Sequence, residues 1–326
     1  MAASAGKGRV ADTDDGTDAI DRSNVQRARA QATVIEAETI KRRTGNGTGM
    51  DKLLQGKTAV IYGAGGSLGG AVAGAFAAGG ARVFLTGRRL ATVQAVAHQV
   101  LAAGGDAVAE EVDAFDERAV AAHLAQVVKR SGSVDISFNA VGVDLIQNIP
   151  LTRISVENFL GPVTRTLQTR YLTAIAAAET MIQQRSGVIL FLTATPGGIG
   201  YPFTGGFAPA CSAVESLSRN LAAELGIDGI RVVCIRSGGS PDSAVFKAAK
   251  ASDPAGMEAV IRKMEADTML KALPSMADIG HAAVFLVSDL AARITGVTLD
   301  VTCGTTAGLN YRVASETADD RYRRRV

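Results

Sequence analysis

Short apolar runs and amphipathic stretches alternate along most of the chain. Runs over residues 57–62, 82–86, 107–112, 134–138, 188–193, 231–235 and 297–301 predict seven strands. Several are uninterrupted rather than alternating, which is expected of parallel strands covered on both faces. Helical segments separate them, over 90–103, 118–130, 159–184 and 207–225. Strand following helix in this way implies an α/β fold, a Rossmann-type doubly wound parallel sheet of about seven strands with helices on both faces.

The ends of the chain break this rhythm. Residues 1–50 are rich in Ala, Asp, Thr, Gly and Arg. They are expected to be largely disordered or to form one helix over 23–43. Ser23 would cap that helix, with Val25, Ala28, Ala32, Ile35 and Ile40 as a weak stripe before the glycine-rich break at 44–49. Met50 is a candidate alternative start. Residues 51–307 form the expected domain. Residues 308–326 are a polar tail, expected to be mobile or to pack on a neighbouring subunit.

Composition narrows the function. Of 326 residues, 47% are hydrophobic, and 34 basic side chains balance 32 acidic ones. No charge excess points to nucleic acid or an anionic membrane. Cys211, Cys234 and Cys303 have no metal-ligand spacing, and their odd number speaks against a disulfide framework. No run reaches the ~18 apolar residues of a membrane span, and no apolar stretch of a signal peptide follows Lys7 and Arg9. The expectation is a cytoplasmic protein acting on a small molecule.

The most informative segment runs from Val60 to Gly70, V-I-Y-G-A-G-G-S-L-G-G, between a strand and an Ala-rich helix reaching about Ala78. Gly63 permits a tight turn. Gly65, Gly66, Ser67 and Leu68 carry the chain past a phosphate, and Gly69 lets the helix approach the sheet. The helix N-terminus then offers free N–H groups to a pyrophosphate. A glycine-rich turn without ligand is the alternative. The next strand ends Gly87-Arg88-Arg89, and the first acidic side chain after Gly63 is Asp106. An NAD site wants an acid at that strand end. Arg88, helped by Arg89, suits the 2′-phosphate of NADP(H) instead.

In this order of motifs, residues 53–307 resemble the short-chain dehydrogenase/reductase family, in the size range of the 3-oxoacyl-carrier-protein reductases. The glycine segment is similar to the family's TGxxxGxG, with Tyr62 for its threonine and Ser67 for its middle glycine. Asp113 resembles the aspartate that contacts adenine. Asn139-Ala140-Val141-Gly142 resembles the NNAG segment, and Ser237-Gly238 stands at its Pro-Gly. The resemblance implies a nicotinamide cofactor, and a homodimer or homotetramer built through the helices over 159–184 and 207–225.

The family's Ser, Tyr, Lys and Asn do not follow. Aligned on Ala213-Val214-Glu215, the lysine position is Cys211, the tyrosine position Phe207, the serine position Ala194 and the asparagine position near Thr166. No lysine occurs between Lys129 and Lys247, so no YxxxK exists in that stretch. Candidate replacements are the hydroxyls of Thr193 and Thr195 and the phenol of Tyr201. Asp144 and Asp242 are weaker candidates, with a solvated loop acid and a turn residue as the plain alternatives. His98, His123 and His281 are expected on helices in structural or solvated roles. Residues 240–273 are expected to form a substrate lid, with Phe203, Phe207, Phe246 and Met257 lending apolar surface.

Three functions fit these residues: an atypical NADP(H)-dependent oxidoreductase, a catalytically inactive dinucleotide-binding protein serving as sensor or partner subunit, and a non-redox enzyme reusing the cleft. Fold alone does not choose between them.

Overall fold

The computed structural model of the chain describes residues 52–308. The expected N-terminal helix, Met50 and the tail from residue 309 onward lie outside them. The described part contains seven parallel strands, β1 (Thr58–Tyr62), β2 (Arg82–Gly87), β3 (Asp106–Glu111), β4 (Ile136–Asn139), β5 (Gly187–Ala194), β6 (Ile230–Ser237) and β7 (Thr298–Val301). Their order across the sheet is β3-β2-β1-β4-β5-β6-β7. The expected doubly wound sheet is therefore present, with its reversal of strand order between β1 and β4. In such sheets that reversal opens a crevice beyond the carboxyl ends of the strands.

Two helical layers cover the sheet, as the uninterrupted apolar strands require. Along β1 the side chains alternate. Ala59 and Ile61 pack on one face with Val72 and Phe76 of α1 (Ser67–Ala78), Val93 and Val100 of α2 (Leu90–Ala102), and Ile279 and Val284 of α8 (Met276–Val287). Val60 and Tyr62 pack on the other. That face is covered by Val120 and Leu124 of α3 (Glu117–Ser131), Ala174 and Met181 of α4 (Val156–Gln184), and Val214 and Leu221 of α5 (Phe207–Leu225). The period of two in a strand thus feeds two cores from one short segment.

Local chemistry sets the helix ends. Asp116 caps α3 by accepting from the N–H groups of Arg118 and Ala119, and Gly132 closes it at φ 82°. Ser155 caps α4, so that helix begins three residues before the sequence pattern suggested. Ser275 and Asp278 form a reciprocal capping box at α8. Two helices, α6 (Ala244–Ser252) and α7 (Pro254–Asp267), occupy the expected lid segment and contain no buried residue. No described helix is long and apolar enough to cross a membrane.

Candidate active site

The loops after β1, β2, β3 and β4 enclose a cavity of about 550 Å³. Gly63, Gly65, Gly66, Arg88, Arg89, Asp113, Ala140 and Gly142 all line it. The sequence placed these residues in separate motifs, and the sheet brings them together. Gly87, Thr92, Val112, Ala114, Phe115 and Val141 complete the wall; of these, Thr92, Val112, Ala114 and Phe115 belong to no motif.

The glycines here are held by space as well as by turn geometry. Gly63 has φ +76°, and a Cβ on it would lie 2.8 Å from the Val141 nitrogen. A Cβ on Gly69 would lie 2.4 Å from the Gly63 carbonyl oxygen. No substitution fits either contact without moving backbone. The cradle therefore suits a diphosphate that needs close approach of main chain, beside the uncapped N-terminus of α1. Arg88 and Arg89 add two exposed guanidinium groups, and Asp113 is the one carboxylate lining the cavity. Its Oδ1 accepts from the Phe115 N–H at 3.0 Å, which fixes the start of that wall.

Four expected cofactor residues act from behind the wall. Leu68 packs against the core. Gly69 allows α1 to touch the β1 turn. Ser67 is drawn away to the lid, where its hydroxyl accepts from the Ala244 N–H at 2.9 Å. Asn139 is buried: its side chain donates to the Thr169 carbonyl and the Thr173 hydroxyl and accepts from the Val141 N–H at 2.9 Å. It shapes the loop that the ligand would meet.

A second cavity, of about 680 Å³, lies beyond β5 and β6. Ala194, Thr195, Tyr201, Phe207 and Gly238 line it, with Phe246, Met264 and Leu273 from the lid side. Thr195 is buried, and its hydroxyl donates to the Ser237 carbonyl at 3.3 Å. Tyr201 is 40% exposed, so its phenol reaches solvent from the rim.

Thr193 does not join them. Strand alternation turns it to the face of Phe191, where its hydroxyl donates to Glu215 Oε1 at 2.9 Å. Glu215 is itself buried and forked by Arg236, with Nε to Oε1 at 3.0 Å and Nη2 to Oε2 at 2.6 Å. The hydroxyl is thus committed to an ion network under the cleft and faces neither cavity. Asp242 accepts from the Met276 N–H at the head of α8, a structural role. Asp144 lies exposed on the loop after β4, and Thr166 lines neither cavity.

Cys211 is buried beneath the second cavity, and its thiol is pushed up to about 11 by that burial. Cys234 is pushed up to about 12 for the same reason. Neither supplies a thiolate near neutral pH. His123 sits in α3 against Glu110, and His98 and His281 are exposed on α2 and α8. Among the described residues no three His, Cys, Asp or Glu side chains converge as a metal site.

A family model described as enoyl-(acyl carrier protein) reductase matches residues 63–306. The chain belongs to the short-chain dehydrogenase/reductase family. It is 32% identical over 254 residues to a 3alpha-hydroxysteroid dehydrogenase of Mediterraneibacter gnavus, covering 77% of this chain and 98% of that one. It is 32% identical over 261 residues to tropinone reductase-like 1 of Erythroxylum coca, covering 78% and 92%. Among solved structures, levodione reductase superposes with a TM-score of 0.72 at 26% identity, over 78% of this chain and 99% of that one. These relatives are oxidoreductases by name, and the seven-strand parallel sheet described above is consistent with the fold of the solved neighbour.

Proposed function

We propose that this member of the family is an atypical NADP(H)-dependent oxidoreductase acting on a small carbonyl or alcohol. The observation that carries the reading is that the end of β2 brings two arginines and no carboxylate of its own to a glycine-cradled cavity, whose one acid, Asp113, comes from the loop after β3. Free ribose hydroxyls would call for an acid there, and a 2′-phosphate calls for a guanidinium fork. Bound NADP(H) would supply the hydride. The chain's own task is to hold the dinucleotide on Gly63, Gly65, Gly66, Arg88 and Arg89, with Asp113, Ala140 and Gly142 around the adenosine half and Gly238 near the other ring.

The second cavity would hold the substrate in a mainly apolar cleft. Its polar contacts would come from the Thr195 hydroxyl and the Tyr201 phenol; Thr193 is excluded by its bond to Glu215. Aligned with the family, Ala194, Phe207 and Cys211 stand where serine, tyrosine and lysine serve, and Thr166 near the asparagine. The cleft thus favours an acceptor that needs little acid assistance, with Tyr201 Oη on the rim as the side chain best able to pass a proton.

The same three replacements favour a second reading, a dinucleotide-binding protein without turnover. Titration of wild type and Arg88→Ala with NADPH and NADH, followed by a carbonyl panel, separates the two. We expect NADPH to bind more tightly than NADH, and Arg88→Ala to lose about 1.5–3 kcal/mol for NADPH alone, the worth of a charge-assisted bond. Binding with no turnover on any carbonyl would favour the second reading. No binding of either cofactor would overturn both and leave a repurposed cleft.

We also infer a cytoplasmic homodimer or homotetramer joined through α4 and α5. Val156, Leu160 and Tyr171 are exposed apolar side chains on α4, which supports an interface there. Sedimentation of a monomer at micromolar concentration would overturn it.

A further inference from the structure

Arg170 of α4 is 6% exposed. Its Nη1 donates to the Val141 carbonyl at 2.7 Å and to the Thr169 hydroxyl at 3.1 Å. Its Nε is sealed from solvent with no partner. Among the described residues no acceptor meets Nη2, and the guanidinium forms no ion pair. Arg236, a half-buried cation under the cleft, is by contrast answered by both Glu215 and Asp300. An unpaired buried guanidinium is costly, and such groups are ordinarily neutralised or hydrogen-bonded. Burial pushes Arg170 down to about 10, which still leaves it charged at neutral pH.

Its position says what it waits for. Val141, which it grips, lines the nucleotide cavity. The Arg170 charge reaches Cys211, and Cys211 stands against Gly197 in the turn whose Thr195 and Pro196 line the second cavity. The guanidinium therefore lies between the walls of the two cavities. A dinucleotide spanning both would have its adenosine phosphate at Arg88 and its diphosphate at the α1 N-terminus. The part left to cross this junction is the sugar next to the nicotinamide.

We propose that Arg170 is a cofactor-binding residue that receives the hydroxyls of the nicotinamide ribose as the dinucleotide passes from one cavity to the other. The inference rests on the dinucleotide reading given above. It adds a residue that no motif marks, on a helix that contributes to neither cavity wall, and makes the buried cation part of ligand recognition.

The test is calorimetric titration of the full chain with NADPH and with adenosine 2′,5′-bisphosphate, which fills the Arg88 half and lacks the second sugar. In Arg170→Met, NADPH binding should weaken at least tenfold while the bisphosphate binds within twofold of wild type. Retained bisphosphate binding also certifies that the variant is folded. Arg170→Lys, which keeps a donor cation, should recover part of the NADPH affinity. Equal weakening of both ligands, or no weakening of NADPH, overturns the proposal. Should Arg170→Met fail to fold, a folded Arg170→Lys in which NADPH alone weakens supports the proposal, and equal weakening of both ligands, or weakening of neither, overturns it. Wild type that binds neither ligand overturns the dinucleotide reading itself, and this inference falls with it.

Discussion

The Ser67 hydroxyl, at the first turn of α1, accepts a hydrogen bond from the Ala244 N–H at the first turn of α6, at 2.9 Å. The two residues are 177 positions apart. One lies in the glycine segment that would hold a diphosphate, and the other begins the lid. The family's middle glycine offers no such acceptor, so this serine ties α6, in the expected lid segment, to the start of α1. A neutral hydrogen bond contributes about 1 kcal/mol net, a factor of about five in an opening equilibrium. Ser67→Ala should speed amide exchange across residues 240–273 by about that factor and leave β1 and α8 unchanged. Unaltered lid exchange would mean that the bond holds nothing shut.

A pH effect follows from His123. The ring is 7% exposed, its Nε2 contacts Glu110 Oε2 at 2.7 Å and its Nδ1 has no partner. Burial lowers its pKa below 6.5, although the Glu110 contact opposes the shift. Below pH 6.5 the unfolded chain takes up a proton that the folded chain resists. The contribution of His123 to stability is therefore full above pH 6.5 and is lost as pH falls toward the folded value. A single proton limits the slope to about 1.4 kcal/mol per pH unit. Urea unfolding at pH 7.5 and 5.5 should show the loss in wild type and a smaller one in His123→Gln. Equal losses in the two proteins would assign the pH response to other groups.

The order of apolar runs was enough to anticipate all seven strands; both faces of the central ones are buried, while β3 and β7 at the edges are only partly covered. The glycine cradle was equally legible, since Gly63 and Gly69 answer backbone contacts that only glycine allows. Thr193 was not, for a reason visible afterwards. In a strand of period two it shares a face with Phe191 and Ile189, both core residues, so its hydroxyl points under the cleft. Arg170 also left a trace. It falls on the stripe of Ala174, Ala177 and Met181, the buried face of α4. An arginine in that register is a buried cation, but the pairing of Glu215 with Arg236 rather than with Arg170 depends on how β6 and α5 come together. Local sequence does not specify that meeting.

That ion network underlies the last prediction. Glu215 binds the Thr193 hydroxyl and two nitrogens of Arg236, and Arg236 Nη1 also reaches Asp300 at 2.9 and 3.0 Å. The turn after β5 rests directly on it. A Cβ on Gly197 would lie 2.5 Å from Glu215 Oε1, and one on Gly198 would lie 2.6 Å from Arg236 Nη1. Thr195 and Pro196, which wall the second cavity, belong to the same turn. Removing one partner of a buried pair costs about 3–5 kcal/mol, because the other charge is stranded. Asp300 still answers Arg236 from a more exposed side, so Glu215→Ala should fall at the lower end. For a domain of this size that is a drop of roughly 10 °C in melting temperature. Glu215→Ala/Arg236→Met should then be less destabilised than the two single variants added together, by about 0.5–3 kcal/mol. A drop under about 2 °C in Glu215→Ala, or strict additivity in the double variant, would show that the turn stands without the pair.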